Sequence, residues 1–146
     1  MLGPGKEILK SVSIAHSILP QVATAEVKGA GVDLQGYEAA LATINVGTSG
    51  DTLSGSVYAQ PTLQESVDDV DADYSDVATA DYGDSVTFPK LDAGSKVSKA
   101  YAVSYVGSKR WIRVVWKVTG THTTGTSASA LVVRANPRVK PTVQGT

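Results

Sequence analysis

The sequence predicts an all-β fold: a single β-sandwich or jelly-roll-like domain with an extended N-terminal arm. Three observations lead there. Val, Thr and Tyr, which suit a pleated and half-buried surface, are abundant throughout. From Tyr37 onward, short runs of alternating apolar and polar residues are separated by Gly-containing turns. The 146 residues include no cysteine, so one core must hold by packing alone, with no disulfide framework and no thiolate metal site.

Residues 1–36 are read as the arm. Ile8, Leu9 and Val12 would give a weak helical stripe, whereas Val12, Ile14, His16 and Ile18 alternate as in a strand, and Pro20 ends either element. Such an arm suits laying a strand against a neighbour's sheet edge. Residues 37–138 are read as the sandwich. Glu38–Val46 forms a strand with Ala40, Ala42, Ile44 and Val46 on one face. Ser56–Gln64 follows, with Pro61 marking an edge or bulge. A short strand is expected over Ser85–Leu91 and another over Lys99–Val106, closed by a turn at Gly107-Ser108. Lys109–Thr119 alternates most clearly, with Ile112, Val114, Trp116 and Val118 opposite Trp111, Arg113, Val115 and Lys117. Ser127–Ala135 is the last strand, and 139–146 is expected to be a flexible tail. No apolar run approaches the roughly 20 residues that span a bilayer, so no membrane partner is expected. The N-terminus lacks a signal-peptide pattern, which makes the cytoplasm the expected site of synthesis.

The net charge of −1 hides a segregation. All fourteen acids lie at or before Asp92, alongside only four Lys and Arg. The other nine bases follow Ala93 with no acid among them. Separated charge of this kind steers copies of a protein onto each other or onto a scaffold, unless the two signs meet within the chain.

The acids concentrate between Glu65 and Asp84. Asp69, Asp71 and Asp73 mimic the first three ligands of an EF-hand loop, and alternate oxygen ligands suit Ca²⁺. Tyr74 stands where the turn glycine belongs, however, and Ala80 where the bidentate Glu belongs. A Ca²⁺ site, a solvated acidic loop and a loop docked on a basic surface are the three readings. Lys109, Arg110, Arg113 and Lys117 interleave with Trp111, which could stack bases and contact phosphate. Their strand alternation and the overall acidity favour a protein interface, or a face covered by the acidic loop, and direct nucleic-acid binding is not expected. Trp111 beside Arg113 suits an interface anchor, while Trp116 suits the core. The chain carries no nucleophile elbow, no H-E-x-x-H and no P-loop. A non-enzymatic protein without metal or other cofactor is expected. The candidate contact residues are Ile14, Ile18, Trp111, Arg113, Lys117, Asp69, Asp71 and Asp73.

Two stretches carry a family resemblance. One runs from Gly36-Tyr37-Glu38 through Asn45-Val46-Gly47 and Thr62-Leu63-Gln64-Glu65-Ser66 to Asp68-Asp69, and resumes at Tyr74-Ser75-Asp76-Val77-Ala78. The other runs from Tyr105-Val106-Gly107-Ser108-Lys109-Arg110-Trp111-Ile112-Arg113-Val114 through Thr119-Gly120-Thr121-His122 to Val133-Arg134-Ala135-Asn136-Pro137-Arg138. Together they resemble small structural proteins of tailed bacteriophages and prophages, across residues 36–138. Val67 before Asp68, and Trp111 in place of another aromatic, depart from that pattern. The resemblance implies a virion component of the head, first a capsid decoration (cement) protein and second a head–tail neck or tail component. It implies a major capsid protein and further copies of this chain as partners, and residence in the virion after assembly in the host cytoplasm. A β-sandwich module binding Ca²⁺ or carbohydrate is the alternative from the acidic loop and the aromatics Tyr74, Tyr82 and Trp111.

Overall fold

A computed structural model describes residues 7–138. The tail expected over 139–146 and the first six residues of the expected arm lie outside the described residues. Nine strands form among the described residues: β1 (Val12–Ala23), β2 (Val27–Lys28), β3 (Val32–Asp33), β4 (Tyr37–Ser49), β5 (Tyr58–Ser66), β6 (Ser75–Asp76), β7 (Lys99–Tyr105), β8 (Trp111–Thr119) and β9 (Thr126–Pro137). They make two antiparallel sheets. The front sheet runs β1-β9-β4-β7; the back sheet runs β2-β8-β5-β6, with β3 also paired to β8. The only helical elements among the described residues are single 3₁₀ turns, and no helix is long and apolar enough to cross a membrane.

The two sheets bury their facing sides against each other, as a sandwich does. Strand alternation selects which residues go inside. Ala40, Ala42, Ile44 and Val46 of β4 point inward with Ala128, Ala130 and Val132 of β9 and Val103 and Tyr105 of β7. Leu63 of β5 and Ile112, Val114 and Trp116 of β8 meet them from the back sheet. Each fully buried Val, Leu or Ile contributes about 1.5–3 kcal/mol relative to exposure, so these rows hold the sheets together. One polar pair also spans the sheets. The Tyr105 hydroxyl donates to the buried Glu65 carboxyl at 3.0 Å and accepts from the Lys109 backbone N–H. Burial pushes the Tyr105 hydroxyl pKa well up, which keeps it a donor.

Two expectations change. The N-terminal segment is extended, but from Val12 it is no separate arm. Alternation lets β1 pair along almost all of β9, so it forms an edge strand of its own domain. Breaks in register between His16 and Gln21, beside Pro20, then turn the chain toward the back sheet. The strand expected over Ser85–Leu91 is absent. Asp84 and Ser85 adopt positive φ, and only Leu91 makes a bridge, to Ala59. The chain from Val77 to Leu91 instead seals the sandwich edge with buried Val77, Tyr82, Phe88 and Leu91, the Tyr82 hydroxyl accepting from the Leu63 N–H. Pro61 is tolerated because β5 has no strand on its outer side there: Ala59 and Leu63, on the same parity, bond outward to Leu91 and to Tyr82 and Val77.

At the other edge Ser17 crosses between the sheets. Its hydroxyl donates to the Ala30 carbonyl at 2.9 Å and accepts from the Val114 N–H at 3.0 Å. Gly29 makes this approach possible, since a Cβ there would lie 2.3 Å from Ser17 Oγ and 2.5 Å from the Val114 carbonyl oxygen. Gly29→Ala should therefore lower the urea midpoint by an amount worth about 1–3 kcal/mol. Gly55→Ala is the control, because a Cβ there meets nothing within 4 Å. An unchanged midpoint for Gly29→Ala would show that this crossing is loose.

Candidate functional site

The outer faces of the two sheets differ in chemistry. On the back sheet, β8 and β5 place Arg113 opposite Gln64 and Lys117 opposite Gln60. Arg113 is only 6% exposed. Its guanidinium donates to the Gln64 side-chain oxygen through Nε (3.0 Å) and Nη2 (2.9 Å), and to Asp71 through Nη1 at 2.7 Å. The Tyr74 ring covers it, 4.0 Å from guanidinium carbon to ring centroid, which suits a cation–π contact. Asp71 also accepts from Lys28 at 3.2 Å, and Asp76 from Lys117 at 2.9 Å and from the Gln64 amide at 2.9 Å. The Tyr74 hydroxyl donates to Asp69 at 2.8 Å, and both side chains pack where a Cβ at Gly31 would be.

The acidic segment therefore lies across the basic strand of its own chain. Donors and carboxylates alternate along one network, Lys28–Asp71–Arg113–Gln64–Asp76–Lys117. Arg113, and then Lys28, hold the Asp71 carboxyl below the usual carboxylate range. Asp73 is not part of the network. It lies beside Asp68, whose negative charge raises its pKa. Among the described residues, no group of three His, Asp or Glu converges closely enough to hold a metal ion.

Between its ends, the front sheet's outer face carries no charge. Register puts Ile14, Val133, Leu41 and Ser104 in one row across β1, β9, β4 and β7. The next row is His16, Leu131, Thr43 and Ala102, and Val12, Ala135 and Ala39 lie on the other side. Ile14 and Leu131 are 42% exposed and Leu41 36%. Asn45, Ala100 and Ser129 continue the surface. Lys99, Glu38 and Arg138 bring charge only at its ends, the last two paired at 2.6 Å. Both edges of this sheet are interrupted. β1 is bulged and carries Pro20; β7 is bridged at Tyr105 by Tyr82, and the Val106 N–H bonds to Asp81.

Between the sheets, below Ile14 and His16, a cleft of about 360 Å³ is lined by Val32, Asp33, Trp111 and Arg134. Asp33 receives a two-pronged bond from Arg110 (2.9 and 2.8 Å), which lowers its pKa, and buried Arg134 donates to the Asp33 carbonyl and to Ser13 Oγ. At the opposite end, the Asp51 carboxylate accepts three backbone N–H groups, of Thr124, Gly125 and Thr123, which hold its pKa low. The buried His122 ring stands 3.5 Å away, its other nitrogen near the Thr119 and Tyr58 carbonyls. Both carbonyls accept, so that nitrogen carries the proton. These contacts pin loops.

The candidate contact residues thus divide. Ile14 lies on the uncharged face. Ile18, expected at an interface, is 3% exposed and belongs to the core, because the break in register after His16 reverses the direction of its side chain. Trp111 is half-buried at the cleft, with Arg110 over its ring. Arg113, Lys117, Asp69 and Asp71 are engaged inside the chain, and Asp73 is exposed. Reading the sequence picked out Ile14 but missed Leu41, Leu131 and Val133, since an outward apolar residue on a strand looks like one of two possible core faces. No known protein family, curated protein or solved structure matches the chain in comparisons with each.

A depressed carboxyl pKa contributes stability above the unfolded value, about 3.9 for Asp, and loses it as pH falls through the folded value. Asp71→Asn should therefore be less stable than wild type at pH 7, with the gap closing as pH falls below the unfolded value of about 3.9 and through the depressed folded one. Denaturant titrations of both proteins across pH check this. A gap that is constant with pH would mean that the Asp71–Arg113 pair does not hold the segment.

Proposed function

We propose that this chain is a non-enzymatic structural protein of a tailed-phage virion, a capsid decoration protein that binds the major capsid protein lattice in many copies and stabilises the head. The phage class rests on the sequence resemblance over residues 36–138. The observation that carries a structural role is the division of the two faces. The charged back sheet is neutralised by the chain's own acidic segment, and the front sheet presents a rigid uncharged surface. Such a body works through buried contact area repeated over a lattice, where weak contacts add by avidity. The Lys and Arg of β8 that would suit phosphate are already bonded to carboxylates, which argues for protein partners and against nucleic acid.

Co-sedimentation of the purified chain with expanded capsids, and its copy number per particle by quantitative densitometry, test this reading. The expected result is a copy number in proportion to the capsid protein. A ring-sized number at one vertex would replace it with a neck role, and no binding would contradict both. Attachment should persist at about 0.5 M salt, because the ion pairs are closed within each chain. Release at that salt would mean that acids of one copy meet bases of another copy or of the shell.

A further inference from the structure

We infer that the outer face of the front sheet is the contact between two copies of this chain, stacked sheet on sheet about a twofold axis. This assigns a surface to the self-association that the virion reading expects, but rests only on the geometry of the face. Four features lead to it.

The first is charge. Across β1, β9, β4 and β7 no outward residue between the charged ends is Asp, Glu, Lys or Arg, and His16 is the only titratable side chain. A twofold contact sets a surface against itself, so any dense charge of one sign opposes itself. The back sheet brings exposed charge of both signs to its surface, Lys28 and Lys117 with Asp71 and Asp76, whereas the front face brings none between its ends.

The second is shape. Ile14, Leu41, Leu131 and Val133 stand among Ala39, Ala100, Ala102, Ala135 and Ser104. Large and small residues side by side let two such sheets interdigitate at the roughly 10 Å spacing of stacked sheets. The third is size. Four strands spaced about 4.8 Å apart, over about nine residues of 3.4 Å, make a face of roughly 600 Å². Two copies bury about 1,200 Å², the lower end of the range for specific stable interfaces. The fourth is the edges. The bulges and Pro20 of β1, and the Tyr82 and Asp81 contacts at the end of β7, shorten the edge open to an added strand, which favours an occupant stacked on the face. A pair formed this way leaves the loop ends of both copies open to a shell.

The test is size-exclusion chromatography with light scattering on the full chain, from 1 to 100 µM. The expected mass is twice the 15.1 kDa of one chain at high concentration. Leu41→Asp and Leu131→Asp should each raise the dissociation constant about 100-fold or more by placing an unpaired charge in the contact. Val67→Asp, exposed beyond the end of β5, should leave it unchanged. Ala102→Asp, at a small exposed position of β7, provides the same test if a leucine variant fails to fold. A monomer at 100 µM overturns the inference, as does a dimer indifferent to Leu41→Asp and Ala102→Asp or broken by Val67→Asp. A monomer that still binds capsids, and loses them on Leu41→Asp, would give the face to the capsid protein instead. Failure of the wild-type chain to bind capsids would count against the virion reading alone.

Discussion

β8 is covered on both faces, and the rest of the molecule is arranged around that constraint. Its inner face, Ile112, Val114 and Trp116, is fully buried in the core. Its outer face holds a buried Arg113 and a fully buried Val115, neither of which a solvated sheet surface accommodates. A buried guanidinium left unpaired costs several kcal/mol, so that face needs a cover that supplies carboxylate, amide oxygen and ring together. The acidic segment supplies the carboxylate and the ring, in Asp71 and Tyr74, and β5 supplies the amide oxygen of Gln64 beside them.

This requirement explains where the charge goes. The segregation of acids and bases along the chain looks like an arrangement for contacts between molecules. In the fold it is largely an arrangement for closing one molecule. Asp71 and Asp76 meet Lys28, Arg113 and Lys117; Asp33 meets Arg110; Glu38 meets Arg138. Most of these pairs are exposed and contribute little stability individually. Their effect is on position. They gather charge onto the back sheet and the rims, and the outer face of the front sheet carries it only at its ends. A protein that works by contact then has one closed surface and one open one.

Much of the sandwich was legible in the sequence because strand alternation is a local signal. β4, β7, β8 and β9 follow it within a few residues, and so do their inward rows. Alternation cannot say which strand is an edge, and β1 therefore looked like an arm although it pairs with β9 over a hundred residues away. Ser85–Leu91 failed for a different reason: the positive φ of Asp84 and Ser85 breaks the strand, and those residue types do not announce it. That the acidic loop could cover the basic strand was among the readings of the sequence, but the individual contacts that decide the surfaces were not legible. Arg113 and Asp71 are 42 residues apart, Arg110 and Asp33 77, and Asp51 and Gly125 74. Only register brings them together. The uncharged front face has the same origin, since it is assembled from four strands that are each unremarkable alone.

The central claim is that contacts between molecules use the uncharged front face while the acidic segment stays closed on its own chain. Hydroxyl-radical footprinting of dilute against associated protein reads both surfaces in one experiment. The account predicts that Ile14, Leu41 and Leu131 lose reactivity on association while Val67 and Tyr74 keep theirs. Protection across Val67–Asp76, with the front face still reactive, would contradict it and make the acidic segment the contact.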